Sequence, residues 1–170
     1  LIPEKGVLYL LKAFEAIRKK YPKVFLFIAG DGPMLANLKM NYTDEQFVFL
    51  GNISYNDVMN LLNNSDIVVI PSYYPEGLPT LLLEAGINNC AVIATPQGGT
   101  EEVIINNDYG IIIENQSEEA IINALISLIE NKNIRKMTAN NLRKRIIEHF
   151  NWEETAKELS KKLNDDMLWK

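Results

Sequence analysis

The sequence predicts an α/β fold in which helices cover both faces of a doubly wound parallel sheet. Two observations support this: short apolar runs recur along the chain, and segments with helical periodicity separate them. The runs are continuous rather than alternating in polarity, which is typical of strands buried on both faces of a parallel sheet. The predicted strands are residues 24–29, 47–50, 67–70, 91–94 and 110–113.

The segments between these strands place apolar residues on one helical stripe. The predicted helices are residues 5–20, 33–40, 54–63, 78–87 and 99–105, followed by a purely helical segment with helices at 117–130 and 134–150. Ser54 and Ser117 are candidate N-caps, and Pro33 suits a first helical turn. Asn151 with Glu154 three residues later indicates another helix start. Ligands of such sheets bind beyond the carboxyl ends of strands, so residues 30–33 and 73–79 are expected at the ligand-binding edge.

Composition narrows the class of protein. The chain has 170 residues, enough for one domain with a full core, and its net charge of -5 argues against a nucleic-acid partner. Cys90 is the one cysteine, which excludes an intrachain disulfide, and it is predicted to be a packed thiol. His149 is predicted to be a helix-end cation rather than a catalytic base. A basic run is interpreted as a solvated helix face, with a membrane-surface or acidic-partner patch as the alternative: Lys132, Arg135, Lys136, Arg143, Lys144 and Arg145.

No stretch has the length and hydrophobicity of a membrane span, and no signal peptide is recognisable. The chain begins at LIPEKG without an initiator Met, so it is expected to be a piece of a longer protein.

Residues 71–85, PSYYPEGLPTLLLEA, are the most informative segment. Glu76 and Gly77 lie in the loop after a predicted strand, and a helix that is apolar apart from Glu84 is predicted to open at Pro79. A Gly-bearing loop before a helix N-terminus suits phosphate, and a carboxylate in a Leu-rich turn is costly unless something binds it. Taken singly, Glu76 fits a surface acid and Glu84 a salt-bridged interior acid. Together they predict a bound nucleotide.

Metal and cofactor signatures are not found in the sequence. It has no Asp-x-Asp and no His, Cys and carboxylate spacing suited to a metal ion, so no metal and no cofactor are expected. The Gly-Asp-Gly-Pro turn at 30–33 is not a GxGxxG dinucleotide fingerprint.

The segment 71–85 resembles the signature of the retaining glycosyltransferases of the GT-B fold, the "group 1" family (glycosyltransferase family 4), in which two glutamates are separated by seven residues. Other segments are similar in the same order: LIPEKG, GDGP, FLGNIS, GGTEEVI and FNWEETA. The resemblance covers nearly the whole chain. It implies that residues 1–170 are a single Rossmann-like C-terminal domain that binds a nucleotide sugar, with the N-terminal acceptor domain not in this sequence.

The resemblance also implies a role for each matching residue. Glu76 contacts hydroxyls of the donor sugar, and Lys5 neutralises the departing diphosphate. Glu84 accepts hydrogen bonds from the ribose hydroxyls, and the main chain at Ile53 reads the base edge. The remaining substrate-binding residues are at the phosphates or in the turn after the first strand: Gly77, Leu78, Thr80, Leu81 and Gly30.

Some positions depart from the family pattern. Ala91 stands where the family usually has Pro, and Asn88-Asn89-Cys90 replaces a common Ala-Cys-Gly. Pro96-Gln97 stands where small residues are common. The Arg that the family places before the Lys would fall ahead of Leu1.

The function implied is a metal-independent, hexosyltransferase-type transfer from a nucleoside-diphosphate sugar, UDP by default, to a hydroxyl acceptor of a glycan or lipid. The expected setting is cytoplasmic, with peripheral contact to the inner membrane face through the other domain, in polysaccharide or glycolipid synthesis. The isolated domain is expected to transfer little or no sugar.

Two alternatives remain open: a sugar-nucleotide epimerase or hydrolase on the same fold, and a non-enzymatic flavodoxin-like interaction module. Part of an apolar terminus is expected to be exposed or disordered in this domain and packed in the parent: Trp152, Met167, Leu168 and Trp169.

Overall fold

The computed structural model describes residues 1–75, 77–114, 116–151, 156–157 and 160–162. The α/β prediction is confirmed, because parallel strands are flanked by helices on both sides. All five predicted strands form, and the first and last are shorter than predicted. They are β1 (Leu26–Ala29), β2 (Phe47–Gly51), β3 (Ile67–Ile70), β4 (Ala91–Ala94) and β5 (Ile111–Ile112).

Among the residues that the structure describes, the strands form two sheets rather than one continuous sheet. β1 pairs with β2, and β4 lies between β3 and β5, all in parallel register. The first residues of the chain lie between the carboxyl ends of β1 and β3. The Leu1 carbonyl accepts the Met34 N–H at 3.3 Å, and the Glu4 carbonyl accepts the Tyr73 N–H at 2.9 Å. The N-terminal segment therefore connects the loop after β1 of one sheet with the loop after β3 of the other sheet.

The helices follow the predicted order with small shifts at their ends. They are α1 (Val7–Ile17), α2 (Leu35–Asn41), α3 (Tyr55–Asn63), α4 (Thr80–Ile87), α5 (Thr100–Val103), α6 (Glu118–Glu130) and α7 (Lys132–His149), with 3₁₀ turns at Pro3–Lys5 and Arg18–Lys20. Both predicted N-caps are confirmed: Ser54 accepts the Asp57 N–H at 3.2 Å, and Ser117 accepts the Ala120 N–H at 3.1 Å. Pro33 and Pro79 precede their helices instead of opening them.

Hydrophobic clusters lie on the two sides of β4. Ala91 and Ile93 pack with α1 and α6 on one side. Val92 packs with α4 and α7 on the other side. β4 is thus buried on both faces, as predicted. The same prediction is wrong for β1, where Phe27 is 46% exposed. The difference arises because Ile28 belongs to the buried cluster that includes residues of α1 and α2, whereas Phe27 lies on the opposite, exposed face of β1.

The basic run lies on α7, and its arginines are not simply solvated. The Arg135 guanidinium donates to the Leu128 carbonyl at 2.7 Å, Arg143 to Ile87 at 3.0 Å, and Arg145 to Glu102 at 2.8 Å. These carbonyls belong to the ends of α6, α4 and α5. Cationic donors at helix C-termini satisfy orphan carbonyls and oppose the negative end of the helix dipole. The solvated-face interpretation is therefore wrong for Arg135 and Arg145, which are partly buried, whereas Arg143 is exposed as predicted.

The remaining predictions on single residues divide in two. Cys90 is fully buried, as predicted, and His149 is the last residue of α7. Glu154, the predicted cap partner of Asn151, lies outside the described residues, and so does the apolar terminus: Trp152, Met167, Leu168 and Trp169. Among the described residues, no helix combines the length and hydrophobicity needed to cross a membrane.

Candidate functional site

The N-terminus of α4 is open to solvent at the carboxyl end of β3. Its N-cap is Pro79, which is buried and makes no side-chain capping bond. The residues around it are exposed: Gly77, Leu78, Thr80 and Leu81. The first backbone N–H groups of a helix lack intrahelical acceptors and carry the positive end of its dipole. This end of α4 is therefore suited to an anion such as a phosphate.

Glu84 lies in the second turn of α4 and is half-buried. Its carbonyl accepts two hydrogen bonds from Asn88, from the main-chain N–H at 3.1 Å and from Nδ2 at 2.8 Å. In the described part of the chain, no cation lies within ion-pair distance of its carboxylate. The interior salt bridge considered as an alternative is thus not formed there. Partial exposure keeps the carboxylate hydrated and leaves it able to accept hydrogen bonds from a ligand.

Lys5 ends the first 3₁₀ turn and is exposed, with Nζ 6.0 Å from the centre of the Tyr74 ring. The backbone around Lys5 is held against the loop after β3. On one side, the Glu4 carbonyl accepts the Tyr73 N–H at 2.9 Å. On the other, Gly6 has a φ of 70° and approaches Pro71 so closely that a Cβ would lie 2.0 Å from the Pro71 oxygen. The structure therefore brings a cation to the loop that leads into α4.

Tyr73 is part of the same loop. Its ring meets Tyr9 edge to face, with 6.3 Å between ring centres. Desolvation raises the pKa of the Tyr73 phenol, and the nearby Glu4 carboxylate adds to the increase. A phenol is protonated at neutral pH even at its ordinary pKa, so the increase only moves the ionisation of Tyr73 further above neutral pH.

Gly30 and Ile53 follow the neighbouring strands β1 and β2. The Gly30 N–H donates to the Gly51 carbonyl at 2.7 Å, which ties the two strand ends together. Ile53 is half-buried directly before the N-cap of α3. The structure thus places both residues at the edge predicted for the ligand, next to the N-terminal segment. They follow the sheet formed by β1 and β2, whereas α4 follows β3 of the other sheet.

The loop after β4 also completes this edge, although none of its residues is among the predicted site residues. The Gly99 N–H donates to the Gly77 carbonyl at 2.9 Å, so the turn holds the loop three residues before α4 begins. Ser72 and Thr95 are both buried, and the Thr95 hydroxyl connects the loops after β3 and β4 by donating to the Ser72 carbonyl. The only sequence signal for these two residues is a hydroxyl side chain soon after an apolar strand. Thr95 follows β4 directly, and Ser72 is the second residue after β3.

Most predicted site residues meet at one edge: Lys5, Gly77, Leu78, Thr80, Leu81 and Glu84 around the start of α4, with Gly30 and Ile53 beside them. Glu76 lies outside the described residues. Among the residues that the structure describes, no group of His, Cys, Asp and Glu side chains could hold a metal ion.

Comparison with known proteins gives the same fold and a family. The sequence pattern described as "Glycosyl transferases group 1" matches residues 1–145. An uncharacterized glycosyltransferase of Methanocaldococcus jannaschii, MJ1069, is 35% identical over 92% of this chain and 41% of its own. The UDP-Gal:alpha-D-GlcNAc-diphosphoundecaprenol alpha-1,3-galactosyltransferase of Escherichia coli is 33% identical over 89% of this chain and 40% of its own. The chain thus spans about two fifths of these relatives.

Solved structures agree. The C-terminal domain of a glycosyl transferase group 1 family protein from Francisella tularensis matches with a TM-score of 0.81 and 27% identity, over 89% of this chain and 83% of that one. Anabaena HepE, crystallised with UDP, matches with a TM-score of 0.85 over 97% of this chain and 46% of its own. Its identity of 21% makes this a likeness of fold alone.

Proposed function

The chain belongs to the glycosyl transferases group 1 family, and we propose that it is the donor-binding domain of an enzyme that transfers a hexose from a UDP-sugar to a hydroxyl acceptor with retention of configuration. One observation carries the proposal: the Lys5 turn is held against the loop that leads into the open N-terminus of α4. Two positive groups on neighbouring segments suit a diphosphate better than a neutral ligand.

The residue roles follow from this placement and remain proposals. The backbone at Gly77, Leu78, Thr80 and Leu81 receives the phosphates, because those residues are exposed around the start of α4. Glu84 accepts the ribose hydroxyls from one turn further along the helix. Ile53 and Gly30 border the base from the neighbouring sheet. Glu76 is proposed to contact the donor sugar, and residues 1–170 are taken as one nucleotide-sugar-binding domain.

In the proposed reaction, the bond between the sugar C1 and the diphosphate oxygen breaks, and its electron pair leaves with the diphosphate. Lys5 and the N–H groups of α4 stabilise the charge that builds there, which lowers the barrier because they are already oriented. The acceptor oxygen attacks C1 from the side of the leaving group, and a phosphate oxygen takes the acceptor proton. The products are the glycoside and a nucleoside diphosphate. No cofactor or metal ion takes part in this proposal.

The choice of uridine rests on relatives. The E. coli relative is named for a UDP-galactose donor and HepE was crystallised with UDP, but a Corynebacterium glutamicum relative, 28% identical, is named as GDP-mannose-dependent. The acceptor is proposed to be a hydroxyl of a glycan or lipid, bound by an N-terminal domain of the whole protein. We place the enzyme in the cytoplasm, with membrane contact through that other domain.

Calorimetric titration with UDP and GDP in the presence of EDTA tests the proposal. UDP should bind the wild type more tightly than GDP, and Glu84→Gln should weaken UDP binding by about tenfold, since hydrogen bonds to a charged group are worth about 1.5–3 kcal/mol. Glu119→Gln is the matched control, because Glu119 is an exposed acid on α6. Failure of both nucleotides to bind the wild type at millimolar concentration, or UDP binding that Glu84→Gln leaves unchanged, would refute the proposal.

A further inference from the structure

Two buried hydroxyls link the Lys5 turn to the end of β4. Ser72 and Thr95 are 3% and 2% exposed. The Thr95 hydroxyl donates to the Ser72 carbonyl. The Ser72 hydroxyl donates to the Glu4 carbonyl at 3.3 Å and accepts the Tyr74 N–H at 3.4 Å. A path of hydrogen bonds therefore runs from β4 to the residue directly before Lys5.

A second path runs from Thr95 toward α4. The Thr95 carbonyl accepts the Gln97 N–H at 2.8 Å, which shapes the turn after β4. Within that turn, the Gly99 N–H donates to the Gly77 carbonyl at 2.9 Å. Thr95 thus takes part in both sets of hydrogen bonds: the set that holds the Lys5 turn and the set that holds the loop before α4.

We propose that Thr95, acting through Ser72, is a positioning residue that fixes Lys5 relative to the N-terminus of α4. The inference rests on the proposed function and deepens it. Two positive groups stabilise the same diphosphate only when each is held within a fraction of an ångström of its place. Hydrogen bonds among buried groups resist displacement, because breaking one leaves a polar atom without water.

The burial of both hydroxyls also separates this role from direct binding. Neither Ser72 nor Thr95 presents enough surface to touch a donor in the open edge. Their effect on the reaction must therefore pass through the backbone they hold. A residue that acts through Lys5 should lose its influence when Lys5 is already neutralised.

A double-mutant cycle in the full-length enzyme tests this, with kcat and the donor KM measured for Thr95→Val, Lys5→Gln and the combination. We expect Thr95→Val to lower kcat about tenfold in the wild-type background and less than about twofold in the Lys5→Gln background, since coupled sites are not additive. The donor KM should change less than kcat. Thr95→Ser, which keeps the hydroxyl, should recover most of the lost kcat.

Thr138→Val is the matched control. Thr138 is also buried and its hydroxyl donates to the Ile134 carbonyl of its own helix, away from this edge. Equal losses in both backgrounds, or a wild-type kcat for Thr95→Val, would overturn the inference. If Thr95→Val fails to fold, Ser72→Ala takes its place in the cycle with the same expected pattern. A wild-type enzyme that transfers no sugar would instead overturn the proposed function, and this inference with it.

Discussion

Gly6 joins the Lys5 turn to the loop after β3, and its backbone shape leaves no room for a side chain. Its φ of 70° is costly for other residues, and an added Cβ would lie 2.0 Å from the Pro71 oxygen. Gly51 has nearly the same φ, 69°, but nothing lies within 4 Å of its virtual Cβ. Comparing the same substitution at Gly6 and Gly51 therefore distinguishes the cost of backbone strain from the cost of a steric clash.

We predict that Gly6→Ala lowers the free energy of unfolding by more than about 3 kcal/mol, whereas Gly51→Ala costs about 1–2 kcal/mol from left-handed strain alone. Urea denaturation of both variants measures the difference. Gly6→Ala should also weaken UDP binding, because the Lys5 turn must move away from Pro71. Equal losses for the two variants would show that the close approach to Pro71 has no energetic weight.

Cys90 gives a pH-dependent prediction. Burial raises the pKa of its thiol to about 11, with the charge of Asp66 a smaller contribution, and Sγ donates to the Leu62 carbonyl at 3.2 Å. The unfolded thiol ionises near its ordinary value of 9.0. Because the folded state holds the proton more tightly, its stabilising effect is complete below pH 9 and is lost between pH 9 and pH 11.

Between pH 8 and pH 10.5 the wild type should therefore lose about 2 kcal/mol more than Cys90→Ala, since one pKa unit corresponds to about 1.4 kcal/mol. Urea titrations of both proteins at the two pH values give this difference, and the other titrating groups cancel in the comparison. Parallel losses in the two proteins would mean that the thiol ionises in the fold as easily as in the unfolded chain.

At the residue scale, local chemistry was predictable and long-range bonds were not. The capping roles of Ser54 and Ser117 follow from residues three positions away. Ser72 and Thr95 are hydroxyl residues of the same kind, but their partners lie 68 and 23 positions away in the chain. The pairing of β3 with β4 brings Thr95 to Ser72, and the position of the N-terminal turn against the loop after β3 brings Glu4 to Ser72.

At the scale of elements, α7 fastens three other helices through its arginines. Arg145 is the most connected: it donates to the Glu102 and Val103 carbonyls at 2.8 and 3.0 Å, and its guanidinium lies 5.5 Å from the centre of the Tyr109 ring. The basic run in the sequence could not predict these hydrogen bonds, because the acceptors are main-chain atoms of α5. A charge pattern alone is the same for a solvated lysine and a capping arginine.

Arg145→Gln should lower the free energy of unfolding by about 1–3 kcal/mol, because it leaves two helix-end carbonyls without their charged donor. Lys144→Gln removes the same charge from the neighbouring exposed position and should change stability by less than about 0.5 kcal/mol. Thermal or urea denaturation compares the two variants. A similar effect of both would restore the interpretation of the run as a solvated basic face.

At the scale of the whole molecule, the sheet divides between β1 and β3. Each apolar run identified a strand, but pairing order is a property of the assembled chain and is not encoded in the hydrophobicity of a single run. In β1 the Leu26 N–H donates to Gln46 at 2.8 Å and the Gly30 N–H to Gly51 at 2.7 Å. Alternate residues of a strand point their N–H groups to opposite edges, so the Phe27 and Ala29 groups point away from β2.

This division predicts an uneven pattern of amide hydrogen exchange. The Ile28 amide, which points to β2, and the Ile93 amide in β4, between two parallel neighbours, should exchange slowly. The Phe27 amide should exchange at least about tenfold faster than that of Ile28, although the two residues are adjacent. Exchange followed by NMR gives both rates in one sample, with Ile28 as the control for opening of β1 itself. Equal protection of Phe27 and Ile28 would contradict the division, because it would require an acceptor on the edge of β1 that faces away from β2.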